Sequence, residues 1–183
     1  MPFDPQDCYR VLVIDDDRSS QDLLRRIISK SAAPRAERHS SRSRMPCFEV
    51  DLADPGEEGL HLIEKSLLEN RPYSLAFVDV RLGSGWDGVQ TTCKIWQKYP
   101  DLEVVLCTGF ADRPWEDMVK SLGFLDRLIV LIKPFDTIEV KQLAVGLSEK
   151  WRLKQQSKLR VHNLERLVQD LHKAVDRAEG LSQ

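Results

Sequence analysis

Five short apolar runs, each stopping at a polar residue and separated from the next by a longer segment, most constrain what this chain can fold into. Arg10-Val11-Leu12-Val13-Ile14 stops at Asp15-Asp16-Asp17, and Cys47 to Leu52 forms a second, weakly alternating run. Leu75-Ala76-Phe77-Val78 runs straight into Asp79, Leu102 to Cys107 into Thr108-Gly109, and Leu128 to Ile132 into Lys133-Pro134. Continuous short apolar runs read as strands buried on both faces. Between them, 18–30 carries Leu23, Leu24, Ile27 and Ile28 at helical spacing, with Ser19 or Ser20 near its start. Pro55-Gly56-Glu57-Glu58 opens a helix carrying Leu60, Leu62, Ile63, Leu67 and Leu68. Val89 to Lys98 is a helix closed at Tyr99-Pro100-Asp101, where proline cannot continue it, and a shorter helix is expected around 115–122. This alternation specifies a doubly wound α/β domain with a five-stranded parallel sheet.

In such sheets ligands bind beyond the carboxyl ends of the strands. Asp15 and Asp16, Asp79, Thr108 and Lys133 all fall at that rim. Gly83, Gly85 and Gly88 let the backbone turn tightly beside Asp79. Three clustered carboxylates repel one another unless a cation neutralises them, and hard oxygen ligands in a partly hydrated site select Mg²⁺. Lys133 adds a point charge and Thr108 a hydroxyl donor. A carboxylate nucleophile, a divalent cation, an ammonium and a hydroxyl are the parts of phosphoryl transfer to aspartate.

The rest of the chain sets bounds. Its 183 residues suit one domain plus an appendage, and a hydrophobic fraction of 42% suffices for a core. A net charge of −2 argues against a nucleic-acid surface, and no apolar run approaches a membrane span. The start, Met1-Pro2-Phe3-Asp4-Pro5, lacks the pattern of a signal peptide, so a cytoplasmic location is expected. Cys8, Cys47, Cys93 and Cys107 share no metal-like spacing; Cys93 and Cys107 read as small core residues. The segment 31–46, rich in Ser, Arg and Pro, reads as a solvated loop insertion. Trp115 reads as a packing residue, and His162 and His172 as solvated residues on a polar helix.

Val13-Ile14-Asp15-Asp16-Asp17, Val78-Asp79, Asp87-Gly88, Cys107-Thr108-Gly109 and Lys133-Pro134-Phe135 resemble, in order and approximate spacing, the landmarks of bacterial response-regulator receiver domains. The resemblance covers roughly Tyr9 to Lys150 and implies the flavodoxin-like strand order 2-1-3-4-5. It implies that Asp79 is the phosphoacceptor, served by a sensor histidine kinase or phosphotransfer protein, and that Asp16 ligates Mg²⁺ directly. Asp15 would orient the metal through water and the Arg81 carbonyl would complete its coordination. Thr108 and Lys133 would hold the phosphoryl group, and the Lys133–Pro134 bond would be cis. Further stretches, such as Gly85-Trp86-Asp87-Gly88 and Ser148 to Leu153, resemble receivers that precede histidine kinase or cyclic-dinucleotide output modules. Three features depart from the pattern: Gly83 in place of a frequent proline with one extra residue before Asp87-Gly88, the insertion, and Val130 at the position of a switch aromatic. Phosphorylation is therefore expected to move Thr108 and its following loop without a ring rotation on the fifth strand.

Two other readings use the same residues. Asp15-Asp16-Asp17 contains the Asp-x-Asp spacing of haloacid dehalogenase-type phosphatases, in which Asp15 would carry the phosphoryl group. That leaves Asp79 idle and finds no acidic pair after Lys133. A receiver-like interaction module, never phosphorylated, would not need to tolerate three clustered carboxylates.

The division expected is a receiver domain over 1–150 and a helical tail over 151–183. The last helix should begin near Thr137, capped by Asp136 or Thr137, with Ile138, Leu143 and Leu147 covering the sheet. No breaker follows before Gly180. Val161, Leu164, Val168, Leu171, Val175 and Ala178 recur at spacings of three and four, placing valine at a and leucine, then alanine, at d. That pattern favours a parallel two-stranded coiled coil over 154–178, weak at its start where Lys154 and Ser157 hold a and d. The chain is expected to be a parallel homodimer whose long helix leads to an output module beyond Gln183 or on a separate partner.

Overall fold

The computed structural model describes residues 8–29, 46–54, 56–83, 85–109 and 129–180, with the backbone alone at 175 and 178–180. The loop insertion up to 45, the helix expected around 115–122 and Leu128 lie outside the described residues. Among the described residues nine elements follow in order: β1 (Tyr9–Ile14), α1 (Arg18–Ser29), β2 (Phe48–Ala53), α2 (Gly56–Leu68), β3 (Leu75–Asp79), α3 (Gly88–Lys98), β4 (Glu103–Thr108), β5 (Ile129–Ile132) and α4 (Thr137–Gly180). All neighbouring strands pair parallel, in the order β2-β1-β3-β4-β5. This is the expected doubly wound arrangement, with α1 against α4 and α2 against α3.

The central strands are apolar because helices cover both their faces. Every residue of β3 and of β4 is buried. Tyr73, Phe77, Leu12, Ile14 and Leu106 are among the largest fully enclosed side chains. Cys107 belongs to this core, whereas Cys93 on α3 is only half-buried. The Lys133–Pro134 peptide is cis, as the resemblance implied.

Cys8 and Cys47 form a disulfide that the reading of the sequence did not foresee. They immediately precede β1 and β2, and the register pairs Tyr9 with Phe48, which sets the two cysteines side by side. The pairing becomes visible only once the strands are aligned.

Helix α4 starts where expected, and Asp136 supplies the cap: its Oδ1 accepts from the Ile138 and Glu139 N–H groups at 2.7 and 3.2 Å. The expected covering set needs correction. Ile138 is 65% exposed, and the residues that pack on the sheet are Val140, Ala144, Leu147 and Trp151, with Leu143 half-buried. Val140, Ala144, Leu147 and Trp151 recur at spacings of three and four and so share one face, from which Ile138 points away.

Lys150 to Lys158 are also tied to the domain. Trp151 is buried and its Nε1 donates to Tyr99 OH at 2.7 Å. Lys154 and Lys158 pair with Asp101 at 2.9 and 2.5 Å, Gln155 donates to it at 3.3 Å, and Lys150 pairs with Glu103 at 2.8 Å. Burial alone would push the Asp101 carboxyl up, but Lys158, Lys154 and Gln155 outweigh it and hold the group at about 2. A carboxylate depressed in the folded state stabilises the fold above its unfolded value and loses that contribution as pH falls through its folded value. The gap in urea midpoint between the native chain and Asp101→Asn should therefore be constant above roughly pH 4 and close as pH approaches about 2. A gap that persists unchanged to that pH would show that Asp101 contributes nothing through its charge.

Candidate functional site

The register brings the polar strand ends together. Asp15 and Asp16 follow β1, Asp79 ends β3 beside Cys107, Thr108 ends β4 beside Ile132, and Lys133 follows β5. The turn after β1 is held by its own side chains. Asp15 Oδ1 accepts from the Asp17 N–H at 2.8 Å, and Asp17 rather than a serine caps α1, accepting from the Ser19 and Ser20 N–H groups.

One carboxylate oxygen from each of Asp15, Asp16 and Asp79 lies within 4.8 Å of the other two. Asp15 and Asp79 are buried and Asp16 is exposed, so the cluster opens to solvent on one side. Lys133 Nζ bridges the buried pair, 2.9 Å from Asp15 Oδ2 and 2.8 Å from Asp79 Oδ1. Burial pushes the Asp79 carboxyl up, Lys133 pulls it back, and Asp15 and Asp16 push it further, leaving it above the ordinary value. Burial would lower Lys133, but its two carboxylates raise it well above the usual lysine range, so it stays charged. Asp79 Oδ2 also accepts from the Arg81 N–H at 3.2 Å. The Thr108 hydroxyl donates to the Gly109 carbonyl at 3.0 Å, and the Lys133 N–H donates to the Thr108 carbonyl at 2.8 Å.

One position crowds this site enough to require glycine; at Gly83 an added Cβ would meet only the Asp16 carboxylate, at 2.6 Å, and that exposed side chain can turn aside. A Cβ on Gly88 would lie 1.9 Å from the Asp79 carbonyl oxygen and 2.9 Å from Val80 Cα, both backbone atoms. Gly88→Ala should therefore cost on the order of 1–3 kcal/mol through forced displacement of the β3 end. Urea unfolding measures it, and an unchanged midpoint would mean that the backbone yields without cost.

Gln21 is a site-building residue that the reading of the sequence missed. It is buried on α1, and its Nε2 donates to the carbonyls of Asp15 at 2.5 Å and Ala53 at 3.1 Å, tying the ends of β1 and β2 together. The available signal was a polar residue three before Leu24, on the apolar face of its helix. Three anionic oxygens in one small volume, one of them solvent-facing, fit a hard divalent cation such as Mg²⁺.

A parallel α/β sheet with acidic groups and a lysine gathered at its carboxyl rim defines the class. No protein-family model and no curated protein sequence matches this chain. Solved structures do, and they make the class specific: the chain has the fold of response-regulator receiver domains. NtrX from Brucella abortus, in complex with ADP, is similar at a TM-score of 0.61 and 23% identity over 83% of this chain, which spans 30% of the NtrX chain. A response regulator receiver domain protein from Methanospirillum hungatei gives 0.60 and 21%, over 81% of this chain and 99% of its own. The adenylate cyclase from Rhodopirellula baltica gives 0.65 and 23%, over 85% and 98%.

Proposed function

We propose that the chain is a receiver that accepts a phosphoryl group on Asp79 and passes the event on through α4. The observation that carries this reading is the Asp15–Lys133–Asp79 bridge beside the exposed Asp16. An Asp79 carboxylate oxygen attacks phosphorus, the P–N bond of a donor phosphohistidine breaks, and the imidazole nitrogen leaves with its electron pair. The aspartate thereby becomes an acyl phosphate. Lys133 is already within 2.8 Å of Asp79 and exchanges a carboxylate contact for one to the phosphoryl oxygens. Thr108, at the same rim, supplies a hydroxyl to that group. Asp15, Asp16, Asp79 and the Arg81 carbonyl would hold Mg²⁺, which when bound supplies positive charge against the gathered anions. Asp15 is the poorer nucleophile, because its Oδ1 is held by the Asp17 N–H at 2.8 Å and its Oδ2 by Lys133, whereas Asp79 Oδ2 accepts only a longer bond from the Arg81 N–H at 3.2 Å.

A sensor histidine kinase or phosphotransfer protein of the cytoplasm is the donor in this reading. A second copy of the chain pairs in parallel along α4. The exposed Val161, Leu164, Val168 and Leu171 support that pairing. Arg160 at g and Glu165 at the following e would form an attractive pair between parallel chains. An output module downstream or on a partner receives the signal.

The test is uptake from acetyl phosphate with Mg²⁺, located by peptide mapping. One phosphoryl group on Asp79, lost when the cation is chelated, is expected. A phosphoryl group on Asp15 would select the phosphatase reading instead, and none at all would favour an unphosphorylated interaction module.

A further inference from the structure

Helix α4 divides into a docked and an exposed half, and the division falls at one turn of the domain. Up to Lys158 its inward face is fastened to Tyr99, Asp101 and Glu103. From Leu159 to Leu171 its large apolar residues are 41 to 65% exposed. The fastening turn closes α3, whose Tyr99 N–H donates to Ile95 O at 2.7 Å and whose Trp96 indole donates to Leu102 O at 3.0 Å. The other end of α3 is Gly88, packed so closely against the Asp79 carbonyl that no Cβ fits, with its N–H donating to Val80 O at 3.0 Å. A capping box of Asp87 and Gln90 fixes that end. One eleven-residue helix is thus pinned to Asp79 at its start and to the long helix at its finish.

We propose that the turn Tyr99-Pro100-Asp101 is an anchoring site for the C-terminal helix, through which α3 carries a change at Asp79 into the exposed arm. This deepens the receiver reading by naming the contact that transmits its state. A displacement of the β3 end moves Gly88, because backbone abuts backbone there. A short capped helix moves as a unit, and Tyr99 and Asp101 move with it. Trp151, Lys154 and Lys158 lie one or two turns apart on one face of α4, so the turn grips the helix along its length and not at a point. A shift of the turn therefore tilts or rotates the arm that begins at Leu159. Lys154, an a position of the heptad pattern, is occupied by its own domain through Asp101, which is why a pairing surface starts only beyond Lys158.

The experiment is amide hydrogen exchange on the full chain, native and Tyr99→Phe/Asp101→Asn, with and without Mg²⁺ and acetyl phosphate, and intact mass recorded on the same samples. Without phosphodonor, exchange over 152–160 should rise about tenfold in the variant while β1 and β3 stay protected, since charge-assisted hydrogen bonds are lost only at the turn. The exchanged-charge chain Asp101→Lys/Lys154→Asp/Lys158→Asp should recover protection. Equal exchange over 152–160 in native and variant chains would overturn the anchor. With phosphodonor, the native chain should change exchange over 152–160 and the variant should not. Phosphoryl uptake with the same response in both, or with no response in the native chain, would overturn the transmission. Absence of uptake would instead overturn the receiver reading, and the anchor would still stand or fall on the unmodified chains.

Discussion

Asp79→Asn abolishes phosphoryl uptake: that is the expected result with the largest effect. Asparagine keeps the shape of the side chain and can still accept from the Arg81 N–H, but it has no anionic oxygen to attack phosphorus. It also removes one charge from a cluster whose members lie within 4.8 Å and takes a carboxylate away from Lys133. The fold should tolerate this, because a buried carboxyl already held above its ordinary value by desolvation is costly to keep ionised. Loss of label therefore cannot be attributed to unfolding if the urea midpoint stays equal to or above that of the native chain. The label should fall to background, because no anionic oxygen remains at that position to form the acyl phosphate. An Asp79→Asn chain labelled as fully as the native one would remove Asp79 from the phosphoacceptor role.

Loss of the proposed pairing in Val168→Asp/Leu171→Asp is the second large expected effect. In the single chain these side chains are 51 and 65% exposed, so in the proposed pairing they would be buried only by the second copy. A parallel pair would bury four such residues across the two chains, each contributing about 1.5 kcal/mol or more, and aspartates would face one another in their place. The dissociation constant should rise by at least about a thousandfold. Sedimentation at tens of micromolar should show a dimer for the native chain and a monomer for the variant. A monomeric native chain, or a variant that stays dimeric, would show that this face does not hold two chains together.

Much of this architecture was legible because the chemistry is local. Apolar runs as short as Leu75 to Val78 have few ways to be buried, and a polar residue at the end of each marks where the rim must lie. The strand order came from the resemblance to receiver domains, and that order, β2-β1-β3-β4-β5, is what sets Asp15, Asp79 and Lys133 side by side. What stayed hidden depends on contacts between segments far apart in sequence. Gln21 looks like one more polar residue until β1 and β2 end beside it. Asp101 looks like part of a loop after proline until α4 brings Lys154 and Lys158 over it. The Ile138 expectation failed because Ile138 lies about half a turn around the helix from Leu147, so the two cannot both face the sheet. Gly88 was read as a turn former, but the atom it must leave room for, the Asp79 carbonyl, appears only in three dimensions.

The bond between Cys8 and Cys47 also changes what a protease can do to the molecule. It joins the residues flanking the β1–β2 crossover, so the chain between them forms a covalently closed ring that includes β1 and α1. A single cut anywhere in that ring, its serine- and arginine-rich stretch included, severs the backbone without separating the pieces. The nicked chain would migrate as one species until a thiol is added and as two fragments afterwards. With β1 paired on both sides to β2 and β3, it could keep its sheet assembled, and Asp15 in place, after the polypeptide is no longer continuous.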